Sequence, residues 1–86
     1  MAKTKRPLGE VKITRGETDD EALAKGHATW KLVARDVSAT VKHPLNTERY
    51  EITAPLARGG ETFAAITADD FDAVVAAARA LMESVR

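Results

Sequence analysis

His27 and His43 are the two side chains of this chain best suited to proton transfer or metal ligation. They stand sixteen residues apart, with no HxH or HExxH spacing that would set them on one face of a strand or helix. Asp69, Asp70 and Asp72 crowd carboxylates together, but on consecutive helical positions they diverge. Compensation of a helix dipole explains them without a divalent cation. Ser38 falls inside an alternating stretch and Ser84 near a helix end, so neither occupies the strand-to-helix elbow of a nucleophilic serine. Gly59-Gly60 lacks the flanking pattern of a phosphate-binding loop and reads as a tight turn. The chain has no cysteine, which removes thiolate catalysis, disulfides and cysteine-ligated metal centres. The expectation is a protein that is not an enzyme, with no metal and no cofactor.

The remaining chemistry is cationic. Lys25, Lys31, Arg35 and Lys42 fall in a basic first half: residues 1–43 hold nine Lys and Arg against six acids, and residues 44–86 hold four against seven. If residues 19–34 are helical, Lys31 and Arg35 lie one turn apart and form a basic strip suited to phosphate neutralisation. A solvated helix surface is the plainer alternative. The whole chain has zero net charge, which argues against nucleic-acid binding by bulk charge alone.

These side chains need elements to hold them. Gly9–Arg15 alternates as a half-buried strand that stops at Gly16. Thr18-Asp19-Asp20-Glu21 has the form of a capping box. Leu23, Trp30 and Val33 follow at helical spacing, so a helix is expected to about Ala34, with Gly26 as a costly interruption. A strand with Trp30, Leu32 and Ala34 on one face is the alternative. On the helix, Trp30 would be the largest core side chain. Val37–Val41, Tyr50–Ala54 and Thr62–Thr67 alternate as strands. Thr67 is the expected N-cap of a last helix whose apolar stripe includes Phe71 and Leu81 as core anchors. The predicted fold is α+β: a β-α-β-β-β-α order, with a four-stranded sheet carrying two helices on one face. The other face would be polar, presenting Lys12, Thr14, Ser38, Thr40, Lys42, Arg49, Glu51, Thr53 and Thr62. Ile66 does not fit the expected inward set, which makes it the candidate protein-interface residue.

Eighty-six residues support one small domain. Residues 1–8 are expected as a flexible basic N-terminal tip and 9–86 as the single α+β domain. Sixteen of the 38 apolar residues are alanine, so the core is thin and a second subunit could complete it. No apolar run reaches the length of a membrane span and no signal-peptide core follows the start, so no membrane partner and a cytoplasmic location are expected.

Val11-Lys12-Ile13, Glu21-Ala22-Leu23, Val37-Ser38-Ala39-Thr40-Val41, Arg49-Tyr50-Glu51-Ile52-Thr53, the glycine turn, Asp69-Asp70-Phe71-Asp72-Ala73-Val74 and Leu81-Met82-Glu83 together resemble the ribosome hibernation promoting factor family, also called ribosome-associated inhibitors. The resemblance implies a β-α-β-β-β-α domain that binds ribosomal RNA of the small subunit, with basic surface side chains on phosphates. The expected function is therefore a non-enzymatic regulatory protein that binds the ribosome or a structured RNA through Lys25, Lys31, Arg35 and Lys42, with the acidic last helix pointing away. The alternative is a protein–protein interaction module with a single protein partner, as a homodimer or an inhibitor of a larger protein.

Overall fold

The computed structural model describes residues 9–56 and 58–85, so the expected tip at residues 1–8 lies outside the described residues. The elements are β1 (Lys12–Arg15), α1 (Asp19–Lys25), β2 (His27–Ala34), β3 (Val37–Pro44), β4 (Arg49–Pro55), β5 (Glu61–Thr67) and α2 (Phe71–Ser84). The strands form one five-stranded antiparallel sheet in the order β1-β2-β3-β4-β5. The α+β class stands. The four-stranded sheet and the β-α-β-β-β-α order do not, because residues 27–34 are a strand.

Helix α1 begins as its sequence dictates. The Thr18 side chain accepts from the Glu21 N–H at 3.2 Å, and the Glu21 carboxylate accepts from the Thr18 N–H at 2.9 Å. It ends at Gly26, whose φ of 86° lies in the left-handed region and whose N–H donates to the Ala22 carbonyl at 2.9 Å. Gly26 is thus a stop signal and not an interruption, which is why the expected helix to Ala34 fails after seven residues. The apolar positions beyond it alternate instead of recurring at helical spacing. Leu32 and Ala34 are buried and Trp30 is partly buried on one face, while Lys31 and Val33 lie on the other.

The start of β2 is anchored to the entry of α1. Glu17, only 7% exposed, accepts from the Thr29 N–H at 2.6 Å and from the Thr29 hydroxyl through its second oxygen. The Gly16 N–H donates to the Thr29 carbonyl at 3.0 Å. A Cβ on Gly16 would stand 2.6 Å from the Thr29 hydroxyl oxygen, so this close approach requires glycine.

Between β2 and β3 the chain turns in two residues, with Arg35 at φ 56°. The register then runs unbroken from His27↔Pro44 to Ala34↔Val37. One sheet face and α2 enclose the core. Leu32, Val41 and Ile52 meet Val74, Ala78 and Met82, and Ala34, Ala39 and Ala54 fill the spaces between them. Asp70, not Thr67, caps α2: its side chain accepts from the Ala73 N–H at 2.9 Å, and β5 runs on through Thr67. Phe71 and Leu81 pack on the core from its margin, only partly buried, while Met82 is fully enclosed. Trp30 does bridge to α2, but from β2. Its ring lies 5.0 Å from Phe71, and the Arg15 guanidinium sits 5.2 Å from the centre of its ring. No helix among the described residues is long and apolar enough to cross a membrane.

Two outcomes test this account. Met82→Ala, which empties a wholly enclosed site, should lower stability by about 2–5 kcal/mol, as read from the denaturant midpoint. Thr29 hydrogen bonds hold the Glu17 carboxyl below the usual value of 4.5, against the opposing effect of burial, with Lys25 and Arg15 adding smaller contributions. A lowered folded-state value contributes stability that is complete above about 4.5 and lost as pH falls through the folded value. Glu17→Gln should therefore be less stable than the wild type at pH 7. Its stability should also change less than the wild type's between pH 5 and 3 in urea titrations.

Candidate functional site

Among the described residues, the sheet face away from α2 gathers polar side chains from every strand. Antiparallel register sets Thr14, Lys31, Thr40, Thr53 and Phe63 in one row across all five strands. The neighbouring row runs Thr29, Lys42, Glu51 and Ala65. Lys12, Val33 and Ser38 form a third short row, with Pro55 and Glu61 beyond it. An open depression of about 480 Å³ lies among Thr29, Lys31, Thr40, Lys42, Glu51 and Thr53.

Lys31 and Lys42 are diagonal neighbours on β2 and β3, roughly 7–8 Å apart by sheet geometry. Glu51 stands opposite Lys42, but Arg49 takes its carboxylate, with Nε 3.1 Å from Oε2. Among the described residues no ion pair occupies either lysine ammonium. The face carries four cations, Lys12, Lys31, Lys42 and Arg49, against Glu51, Glu61 and, at its Thr29 end, the mostly buried Glu17 carboxylate. This is a local positive excess in a chain of zero net charge. The acidic groups concentrate elsewhere, at Asp19, Asp20 and Glu21 on α1 and at Asp70 and Asp72 at the start of α2. Hydroxyls of Thr14, Thr40 and Thr53 alternate with the lysines and supply donors and acceptors between the charges.

The four cations expected to act together are not held together. Lys25 is the last residue of α1, Arg35 lies in the β2–β3 turn, and only Lys31 and Lys42 share the open face. Lys31 and Arg35 do not lie one helical turn apart. Four residues of extended chain separate them, about 13 Å by strand rise.

Ile66 lies opposite Tyr50 on the helix-bearing face and packs against the core, so it is not the apolar residue of the open face. Phe63 and Val33 are on that face: Phe63 lies opposite Thr53 and is 58% exposed, and Val33, opposite Ser38, is 36% exposed. Thr62, expected on the open face, sits on the covered one opposite Ala54. The usable signal was parity. Phe63 and Ile66 have opposite facing in one strand, and the five-residue connection at residues 56–60 decides which of them joins Thr53.

The residues set aside for catalysis stay apart. His27 pairs with Pro44 and Ala28 with His43, which places the two imidazoles on opposite sheet faces. His43 Nδ1 donates to the Arg49 carbonyl at 2.9 Å, and its ring stacks on Tyr50 at 4.1 Å. Among the described residues no three His, Asp or Glu side chains gather to hold a metal ion. The Gly59-Gly60 pair, at φ 97° and 81°, closes the β4–β5 hairpin.

No protein-family model, no curated protein and no solved structure matches this chain.

Phe63 is expected to add little to the fold. Phe63→Ala should lower stability by no more than about 1 kcal/mol, because most of its ring already faces solvent. Unfolding midpoints of this variant and of Met82→Ala, compared directly, check the assignment of the two faces.

Proposed function

We propose that this chain is a non-enzymatic, cytoplasmic regulatory protein that binds structured RNA across the open face of its sheet. Ribosomal RNA of the small subunit is the first RNA to test. One observation carries the reading: lysines with no ion pair among the described residues, hydroxyls and an exposed aromatic ring share a single five-strand face of a chain with zero net charge. Lys31 and Lys42 would neutralise phosphates. Thr40 and Thr53 would meet phosphate or ribose oxygens. Phe63 would stack on a base splayed from a loop, the part of a structured RNA whose bases are open to stacking. Lys25 and Arg35, at the ends of α1 and β2, would contact flanking phosphates only where the RNA extends past the sheet. The hibernation-factor resemblance supports the choice of ribosomal RNA, although this sheet is not the one that family implies.

A protein–protein module is the second reading. Glu51 and Glu61 on the same face favour it, since a mixed-charge surface suits a protein partner.

Binding to a hairpin RNA with an open loop, measured across a salt series, decides between the two. The double variant Lys31→Gln with Lys42→Gln should lower the slope of log K against log salt by about 1.4 for a single-stranded contact. Phe63→Ala should weaken binding by about 1–3 kcal/mol and leave that slope unchanged. Affinity that ignores salt and all three substitutions would transfer the function to the protein-interaction reading.

A further inference from the structure

Strand β5 is an edge. It pairs with β4 from Glu61 to Thr67 and, among the described residues, has no strand on its other side. An unpaired edge offers a row of N–H and C=O groups to any other strand, and proteins commonly blunt it with charge, proline, a bulge or a short length. β5 has one charge, Glu61 at its first position, and none of the other devices. It is seven residues long, its register with β4 is unbroken, and between Glu61 and Asp69 it holds no charged residue and no proline. The opposite edge differs: β1 is four residues long and carries Lys12 and Arg15.

We propose that β5 pairs antiparallel with β5 of a second copy about a two-fold axis at Ala64, making a dimer with one continuous ten-stranded sheet. The strand is complementary to itself in this register. Antiparallel partners share a face, so Phe63 falls opposite the small Ala65 of the second copy on the open side, and Thr62 opposite its Ile66 on the helix side. Glu61 falls opposite Thr67, so no like charges meet. Six residues before the axis stands Arg58, at the hairpin tip; six residues after it stands Asp70, with Asp69 beside it. Each Arg58 therefore approaches the acidic pair of the other copy, and the symmetry makes this contact twice. Within one chain, neither Arg58 nor Asp69 makes an ion pair among the described residues. Centring the axis on Ala65 instead would set Glu61 against Asp69 at both ends, which like-charge repulsion disfavours.

The pairing leaves both open faces on the same side of the joined sheet. It stands independently of what those faces bind.

The test uses the full chain without RNA. Sedimentation equilibrium should show a concentration-dependent rise from 9.3 kDa to twice that mass. Amide exchange along β5 should slow as the dimer fills. Arg58→Glu should raise the dissociation constant about threefold to tenfold, and adding Asp69→Arg should restore most of the loss. The native chain has no cysteine, so Ala64→Cys tests the axis directly. Mild oxidation should cross-link it through the two-fold far more than Ala24→Cys, which sits exposed on α1. A single-chain mass up to millimolar concentration overturns the proposal. So does cross-linking of Ala64→Cys no greater than that of Ala24→Cys. A dimer whose β5 amides exchange as fast as those of the monomer also overturns it.

Discussion

Two contacts at the entry to β2 govern the rest of the molecule. Gly26 takes a left-handed conformation that ends α1 after seven residues, and Glu17 fixes Thr29 by its N–H and its hydroxyl. Together they turn the chain from helix into strand over three residues and set where the first full strand begins. Among the described residues β1 pairs with β2 alone, and β3 pairs with β2 along its whole length. Had the helix run on through Ala34, β1 would have no partner, and Leu32 would leave the core it fills. The buried carboxylate is tolerable because Thr29 satisfies both of its oxygens and Arg15 lies 3.9 Å away. Gly16 completes the arrangement by being small enough for the Thr29 hydroxyl to approach.

From that start the sheet divides the molecule into two chemical halves. The covered face is alanine-rich, and small side chains at Ala34, Ala39, Ala54 and Ala78 fill the spaces between Leu32, Val41, Ile52, Val74 and Met82. A core this economical needs only one long helix over it. Trp30, His43, Tyr50 and Phe71 close one end of the core as a chain of ring contacts from β2 to α2. The other face lies away from α2 and keeps Lys31, Lys42, Thr14, Thr40 and Phe63 in solvent. Charge follows the same division. Acids gather where helix dipoles favour them, at the starts of α1 and α2, and cations gather on the bare sheet. A chain of zero net charge therefore presents a locally positive surface.

The sequence by itself determined whatever local chemistry controls. The capping box at Thr18 and Glu21, the glycine turn before β5, the alternation of β3 and β4, and the amphipathic stripe of α2 each rest on residues within a few positions of one another. All four were readable. So was the polar character of one sheet face, because Lys42, Glu51 and Thr53 alternate with buried neighbours whatever pairs beside them. Residues 27–34 were different. Their apolar positions fit a helix and a strand almost equally, and Gly26 has the same letter whether it interrupts a helix or ends one. The choice was made by partners distant in sequence: the Glu17 carboxylate from twelve residues before Thr29, and the β3 register that buries Leu32 against Ala39. The candidate site depended on that choice. Lys31 and Lys42 meet only when both lie on paired strands, and Phe63 joins them only because the β4–β5 hairpin sets it opposite Thr53. Strand pairing is a long-range relation with a period of two, and a shift of one residue moves every side chain to the other face. Tertiary structure alone fixed that parity, and with it which side chains share the open face.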